Sequence, residues 1–215
     1  MGTTTLLLLA STFLSLGAFA AESAQPTFNF DREAVGQAPH GFEFGRTGRG
    51  APGKWVVKAE QDAPSGGNVL AQTDADSTDY RFPVAFTGPA LEDLHLSVKC
   101  KAVSGRVDQA CGLVFRLKDA DNYYVTRANA LEGNVRLYHV VAGKRVQFAT
   151  WSGKVQSGVW HELAVNAQGD HFEVSFDGSK VIDAHDKTLT EAGKFGLWTK
   201  ADSVTYFDDL TATPN

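Results

Sequence analysis

The side chains best equipped for chemistry lie between residues 116 and 151: Arg116, Tyr123, Arg127, Asn129, Arg136, Tyr138 and Trp151. Guanidinium groups offer rigid forks of donors that fit hydroxyls and carboxylates, and an aromatic face packs against the C–H surface of a sugar ring. Gathered on one surface, they suit a polyhydroxylated or anionic ligand. The other reading is a sheet face on which cross-strand arginine–aromatic pairs only stabilise the sheet. One surface requires an antiparallel meander, and the sequence reads as one. Asp119-Ala120-Asp121-Asn122, Glu132-Gly133 and Gly143-Lys144 signal turns between strands Tyr123–Ala130, Val135–Val141 and Val146–Trp151. Pairing Lys118 with Tyr123, Leu131 with Asn134 and Ala142 with Arg145 sets Asn129 opposite Arg136, Arg127 opposite Tyr138 and Arg136 opposite Trp151. A one-residue slip at any turn would scatter the set.

Other chemistries fail on their residues. Gly48 to Lys54 fits G-x-x-x-x-G-K, but Trp55 stands where a phosphate loop needs Ser or Thr. His161-Glu162 opens like a zinc-protease motif, yet Val165 occupies the second histidine position. There is no G-x-S-x-G nucleophile elbow. Asp208 and Asp209 are adjacent, so a regular strand points them to opposite faces and denies them a shared substrate. Asp31 and Asp208, on the first and last strands, are candidate ligands for a structural calcium ion through hard carboxylate oxygens, solvated strand ends being the alternative. No cofactor is required.

The wider pattern is strands throughout. Leu94, Leu96, Val98, Cys100 and Ala102 alternate with polar residues, and after Ser104-Gly105-Arg106 the alternation resumes at Cys111, Leu113, Phe115 and Leu117. A hairpin there places Cys100 opposite Cys111, within reach of a disulfide, or leaves two small core residues. Trp160–Asn166, His171–Phe176, Val181-Ile182, Phe195–Trp198 and Val204–Leu210 read as further strands. The glycine-rich stretch 32–54 reads as a long surface loop. The expected fold is all-β, a two-sheet antiparallel β-sandwich of the jelly-roll kind.

With 215 residues, 43% of them hydrophobic, the chain is neither disordered nor a disulfide-dense miniprotein. Twenty Lys and Arg against 25 Asp and Glu leave a net charge of −5 and no basic footprint for nucleic acid. Residues 1–20 carry no charged side chain and end in Ala18-Phe19-Ala20, a leader of the secretory type, shorter than the ~20 apolar residues that span a bilayer. Residues 21–215 are then a single exported domain, periplasmic or extracellular, in an environment that permits a disulfide. No further stretch approaches membrane-spanning length, and nothing in the sequence sets an oligomeric state.

Gly112-Leu113-Val114-Phe115-Arg116, Asp121-Asn122-Tyr123-Tyr124, Gly193-Lys194-Phe195-Gly196-Leu197-Trp198 and Phe207-Asp208-Asp209 resemble, in order and spacing, the concanavalin A-like, laminin G-like jelly rolls of secreted bacterial proteins. The resemblance covers most of residues 90–212. Its relatives include domains related to the 3-keto-disaccharide hydrolases (glycoside hydrolase family 16-like) and the carbohydrate-binding modules of glycanases. It implies a sandwich and a sugar-related role but transfers no catalytic residue. The E-x-D-x-x-E strand of laminarinase-type enzymes is absent, as is the Leu-Phe-Asn-Gly run of the 3-keto-disaccharide hydrolases. Three functions follow as expectations. The first is an exported module binding a saccharide on the Arg116, Arg127, Asn129, Arg136, Tyr138 and Trp151 face. The second is an enzyme acting on a modified saccharide through Asn129, an arginine, and His95 or Glu132. The third is a structural or protein-binding envelope module.

Overall fold

The computed structural model describes residues 27–215 together with Met1 and Gly2, so the leader expected over residues 1–20 lies outside the described residues. The described elements are all strands: β1 (Thr27–Phe28), β2 (Glu43–Gly48), β3 (Trp55–Ala59), β4 (Asn68–Gln72), β5 (Arg81–Leu91), β6 (Leu94–Ser104), β7 (Ala110–Asp119), β8 (Asn122–Asn129), β9 (Asn134–Val141), β10 (Lys144–Ser152), β11 (Trp160–Gln168), β12 (His171–Phe176), β13 (Ser179–His185), β14 (Gly193–Trp198) and β15 (Val204–Pro214). Sheet A runs β13-β12-β11-β6-β15-β4-β3, with β1 on β15, and sheet B runs β10-β9-β8-β7-β14-β5-β2. All pairings are antiparallel. Among the described residues no helix is long and apolar enough to cross a membrane.

The period-two patterns put one row of each sheet into a common interior. Leu94, Leu96, Val98, Leu163, Val165, Phe172 and Phe207 from sheet A meet Leu113, Phe115, Tyr124, Leu137 and Leu197 from sheet B, all at most 1% exposed. Burying each such side chain contributes about 1.5–3 kcal/mol. Residues 32–54 are not one loop: Glu43–Gly48 is β2, the edge strand beside β5.

The stretch between β6 and β7 is not the expected hairpin. β6 lies in sheet A between β11 and β15, and β7 lies in sheet B between β8 and β14. Residues 105–109 arch from one sheet to the other. Asp202 holds the arch by accepting from the Arg106, Val107 and Asp108 amides at 2.7, 3.1 and 2.9 Å. A Cβ on Gly105 would sit 1.8 Å from the Asp108 carbonyl oxygen, so the arch needs glycine there. Cys100 and Cys111 are bonded, with Cα atoms 6.3 Å apart, and the bridge crosses the core between the sheets instead of joining neighbouring strands. Closing so short a loop contributes about 3 kcal/mol by chain entropy.

Sheet B is rolled. Arg145 on β10 and Phe82 on β5 are five strand steps apart, roughly 24 Å across a flat sheet. Yet the Arg145 guanidinium carbon lies 4.4 Å from the Phe82 ring centre. A methyl on Gly143, in the β9–β10 turn, would touch Thr47 of β2 at 3.9 Å. The outer face of sheet B is therefore concave, and it shelters a second apolar cluster of Phe82, Val84, Val114, Leu117, Tyr123, Val125, Tyr138, Val140 and Trp198.

Candidate functional site

The hollow of sheet B is built along one register row. Trp198 pairs with Gly112, Gly112 with Arg127, Arg127 with Arg136, and Arg136 with Thr150. Gly112 makes room for its neighbours: a Cβ there would meet Trp198 Cε3 at 3.1 Å and Arg127 Cβ at 3.2 Å. Arg127 and Arg136 are directly opposed, which between like charges is unfavourable unless an anion intervenes. The β8–β9 turn supplies it. Asn129 starts that turn by accepting from the Leu131 and Glu132 amides, both at 3.0 Å. This local bonding carries Glu132 back over the arginine pair.

Glu132 is the hub. Its Oε2 accepts from Arg127 at 2.8 Å and Asn134 at 3.2 Å and meets Arg136 at 3.1 Å, while Oε1 lies 3.5 Å from Lys200 Nζ. Burial opposes the charge, but Arg127, Asn134, Lys200 and Arg136 outweigh it and hold the carboxyl at about 2. Beneath, Arg127 also donates to Asn134 Oδ1 and, at 3.2 Å, to Tyr138 OH. Asn129 donates to Asp108 at 2.5 Å, and Lys200 pairs with the same carboxylate. Burial pushes the Asp108 carboxyl above its usual range, with Lys200 opposing. Arg145 roofs the apolar floor, its guanidinium 4.4 Å from Phe82, 4.5 Å from Tyr138 and 5.6 Å from Trp198.

The structure brings Arg127, Asn129, Arg136 and Tyr138 together and sends two of their predicted companions elsewhere. The β8–β9 loop has four residues, Ala130 to Gly133, so Arg127 faces Arg136 in place of Tyr138. That two-residue shift preserves the face of every side chain. Two bulges do not. An irregularity in β7 after Phe115 turns Arg116, at φ 47°, away from the hollow and puts Leu117 in its place. Arg116 instead donates to the Glu92, Leu189 and Gly169 carbonyls at 2.7, 2.9 and 2.6 Å. A bulge in β10 between Gln147 and Ala149 sets Trp151 opposite Val135 and onto the core side, 6.3 Å from Phe176. His95 is exposed on sheet A and cannot act with Asn129 on sheet B.

Asn134, Arg145, Lys200 and Asp108 are the site residues that the sequence reading missed. Lys200 follows Trp198 closely, and the polar composition of Asn129 to Asn134 was a usable signal. Arg145 was not, because its place depends on the roll of the sheet.

Asp31 and Asp208 use their oxygens on backbone. Asp31 accepts from the Gly67 and Asn68 amides at 2.9 and 3.2 Å, and Asp208 from the Ser65 amide at 3.1 Å. An irregularity in β15 lets Ser65 Oγ reach both Asp208, at 3.3 Å, and Asp209, at 2.7 Å, so the two carboxylates do not point to opposite faces. Asp208 is fully buried, and burial pushes its carboxyl up to about 6. Between pH 4 and 6 the native state therefore keeps a proton that the unfolded chain releases. Stability contributed by this group falls as pH rises through that window, by about 3 kcal/mol at ~1.4 kcal/mol per unit. Denaturant titrations at pH 4 and pH 7 should show this decline in the parent, relative to Asp208→Asn. Parallel curves for the two proteins would contradict it.

Face-to-face antiparallel sheets with this strand order give the chain a jelly-roll β-sandwich fold. No family model matches it. A levanase of Bacillus subtilis (strain 168) is 32% identical over 105 residues, 47% of this chain and only 15% of that protein's length. The carbohydrate-binding module CBM66 from Bacillus subtilis superposes with a TM-score of 0.62 at 23% identity, covering 79% of this chain and 94% of that one. Lectin II from Ulex europaeus gives 0.60 at 13% identity, covering 88% and 99%.

Proposed function

We propose that the chain is an exported saccharide-binding module that grips its ligand in the hollow of sheet B. Arg136, Glu132, Lys200 and Arg145 are the contact groups, and Arg127, Asn129, Asn134 and Tyr138 fix them from beneath. One observation carries the reading: a Glu132 carboxylate held by two arginines, an asparagine and a lysine, yet 31% exposed, beside Arg136 at 33% and Lys200 at 24%. Oriented acceptors and forked donors at the mouth of an aromatic-floored hollow are what hydroxyl recognition needs. The likeness to a carbohydrate-binding module and a lectin supports the class. The Cys100–Cys111 bond fits an oxidising compartment outside the cytoplasm.

Hydrolysis has less support. Within the hollow Asp108 and Glu132 share Lys200, but the Asp108 side chain is 1% exposed and out of reach of a glycosidic oxygen. The test is a thermal-shift screen of residues 21–215 against neutral and acidic oligosaccharides, because a ligand bound only by the folded state raises Tm by mass action. A saccharide-dependent rise that disappears in Arg136→Ala is expected. No shift with any saccharide, or a shift that Arg136→Ala leaves intact, would overturn the proposal.

A further inference from the structure

The hollow of sheet B gathers more positive charge than it neutralises. Arg127, Arg136 and Lys200 share Glu132, and Lys200 also meets Asp108, so these three cations have two carboxylates between them. Arg145 adds a fourth cation that has no carboxylate partner among the described residues and rests on three aromatic faces. Its Nη1 is buried without a hydrogen bond, as are Arg127 Nε and Arg136 Nε. These four cations and two carboxylates sum to +2 inside a chain whose overall charge is −5.

Elsewhere the chain does not leave such charges alone. Arg81, fully buried, meets Asp74 at 2.8 Å, and Arg116 meets Asp93 at 3.2 Å. On the outer face of sheet A a cleft of about 440 Å³ is lined by Lys99, Trp160, His161, Glu162 and Asp177. There Lys99 pairs with Glu162 at 2.6 Å and His161 meets Asp177 at 2.7 Å, so each of these groups already has a partner. Burying an unpaired cation is costly, and contact with π faces, at about 0.5–2 kcal/mol each, offsets only part of that cost. Arg145 keeps its charge at any ordinary pH, so deprotonation cannot relieve the cost.

We infer that the saccharide taken by this hollow is an acidic one, whose carboxylate or sulfate oxyanion is met by Arg145 and Arg136 on either side of Tyr138. This rests on the saccharide-binding reading above and adds the charge class of the ligand. An oxyanion matches the planar guanidinium fork better than a hydroxyl does, and in a rolled, partly dry hollow such charge-assisted bonds are strong. Glu132 sets the register, since its charge, already held by Arg127 and by Arg136 Nη1, repels the oxyanion from that side of Arg136 and directs it toward Arg145.

The experiment is calorimetric titration of residues 21–215 with matched pairs: uronate oligosaccharides against their neutral methyl esters, and sulfated oligosaccharides against their desulfated parents. At low salt one acidic class should bind at least ~10-fold tighter than its neutral partner, about 1.4 kcal/mol. The advantage should shrink as salt rises, because the rim of the hollow is open to solvent. Arg145→Gln should erase the advantage, so that acidic and neutral partners bind the variant equally. The tighter class, carboxylated or sulfated, names the source of the oxyanion. Neutral partners bound as tightly as acidic ones by the parent protein would overturn the charge inference and leave saccharide binding standing, a comparison that needs no variant to fold. Failure of every saccharide to bind would overturn both.

Discussion

Arg127→Ala should abolish saccharide binding, with Kd rising by more than ~100-fold, although Arg127 itself is 1% exposed. The effect is indirect. Arg127 donates to Asn134, Glu132 and Tyr138, and so ties the β8–β9 turn to the middle of the hollow. Without it, Asn134 Oδ1 loses its donor at a position 5% exposed, and Glu132 is left to Arg136 and Lys200 at the rim. Removing one member of a buried ion pair costs about 3–5 kcal/mol, because the remaining polar groups keep their desolvation penalty. In a domain of this size that is a fall in Tm of roughly 10 °C. Arg127→Lys separates positioning from charge: the ammonium can reach one of the three partners but not all three in the geometry of the fork. It should restore much of the Tm and little of the binding. If Arg127→Lys bound as the parent does, charge alone would suffice and the positioning role would be wrong.

The errors in reading this face from sequence have one physical origin. Alternation of polar and apolar residues carried the meander, and its strands β8, β9 and β10 lie where the turn residues placed them. Misjudging the β8–β9 loop by two residues moved partners but not faces, so Arg127, Asn129, Arg136 and Tyr138 still share the hollow. Bulges change parity, and nothing in the types of Arg116 or Trp151 announces one. One extra residue in β7, counted against β14, exchanged Arg116 for Leu117, and one in β10 sent Trp151 to the core. The Cys100–Cys111 pair teaches a related lesson. Opposed cysteines fit a hairpin as well as an arch, and what selects the arch is Asp202, almost a hundred residues away, capping three consecutive amides. Arg145 lay beyond any local pattern, since its aromatic partners on β5 and β14 come near only when the whole sheet rolls.

Arg116→Ala should destabilise the domain about as much as Arg127→Ala while leaving saccharide affinity unaltered in the molecules that fold. Arg116 is 1% exposed and lies 5.5 Å from the Phe172 ring centre, with its donors spread over three connections. They reach the β5–β6 turn at Glu92 and Asp93, the β11–β12 turn at Gly169, and the segment before β14 at Leu189. The β5–β6 turn runs from sheet B to sheet A, the β11–β12 turn lies within sheet A, and Leu189 precedes a strand of sheet B, so the side chain fastens the sheets together at one end of the sandwich. Truncation leaves three carbonyls and the Asp93 carboxylate without this donor, and the expected loss is about 3–5 kcal/mol, or roughly 10 °C in Tm. Arg116→Lys, able to reach only one or two of those acceptors, should recover part of it. Titrating the same saccharide into parent and Arg116→Ala below the melting range of both decides the role. Equal affinities fit a strut, whereas a folded variant with weakened binding would return Arg116 to the ligand face from which the β7 bulge has turned it.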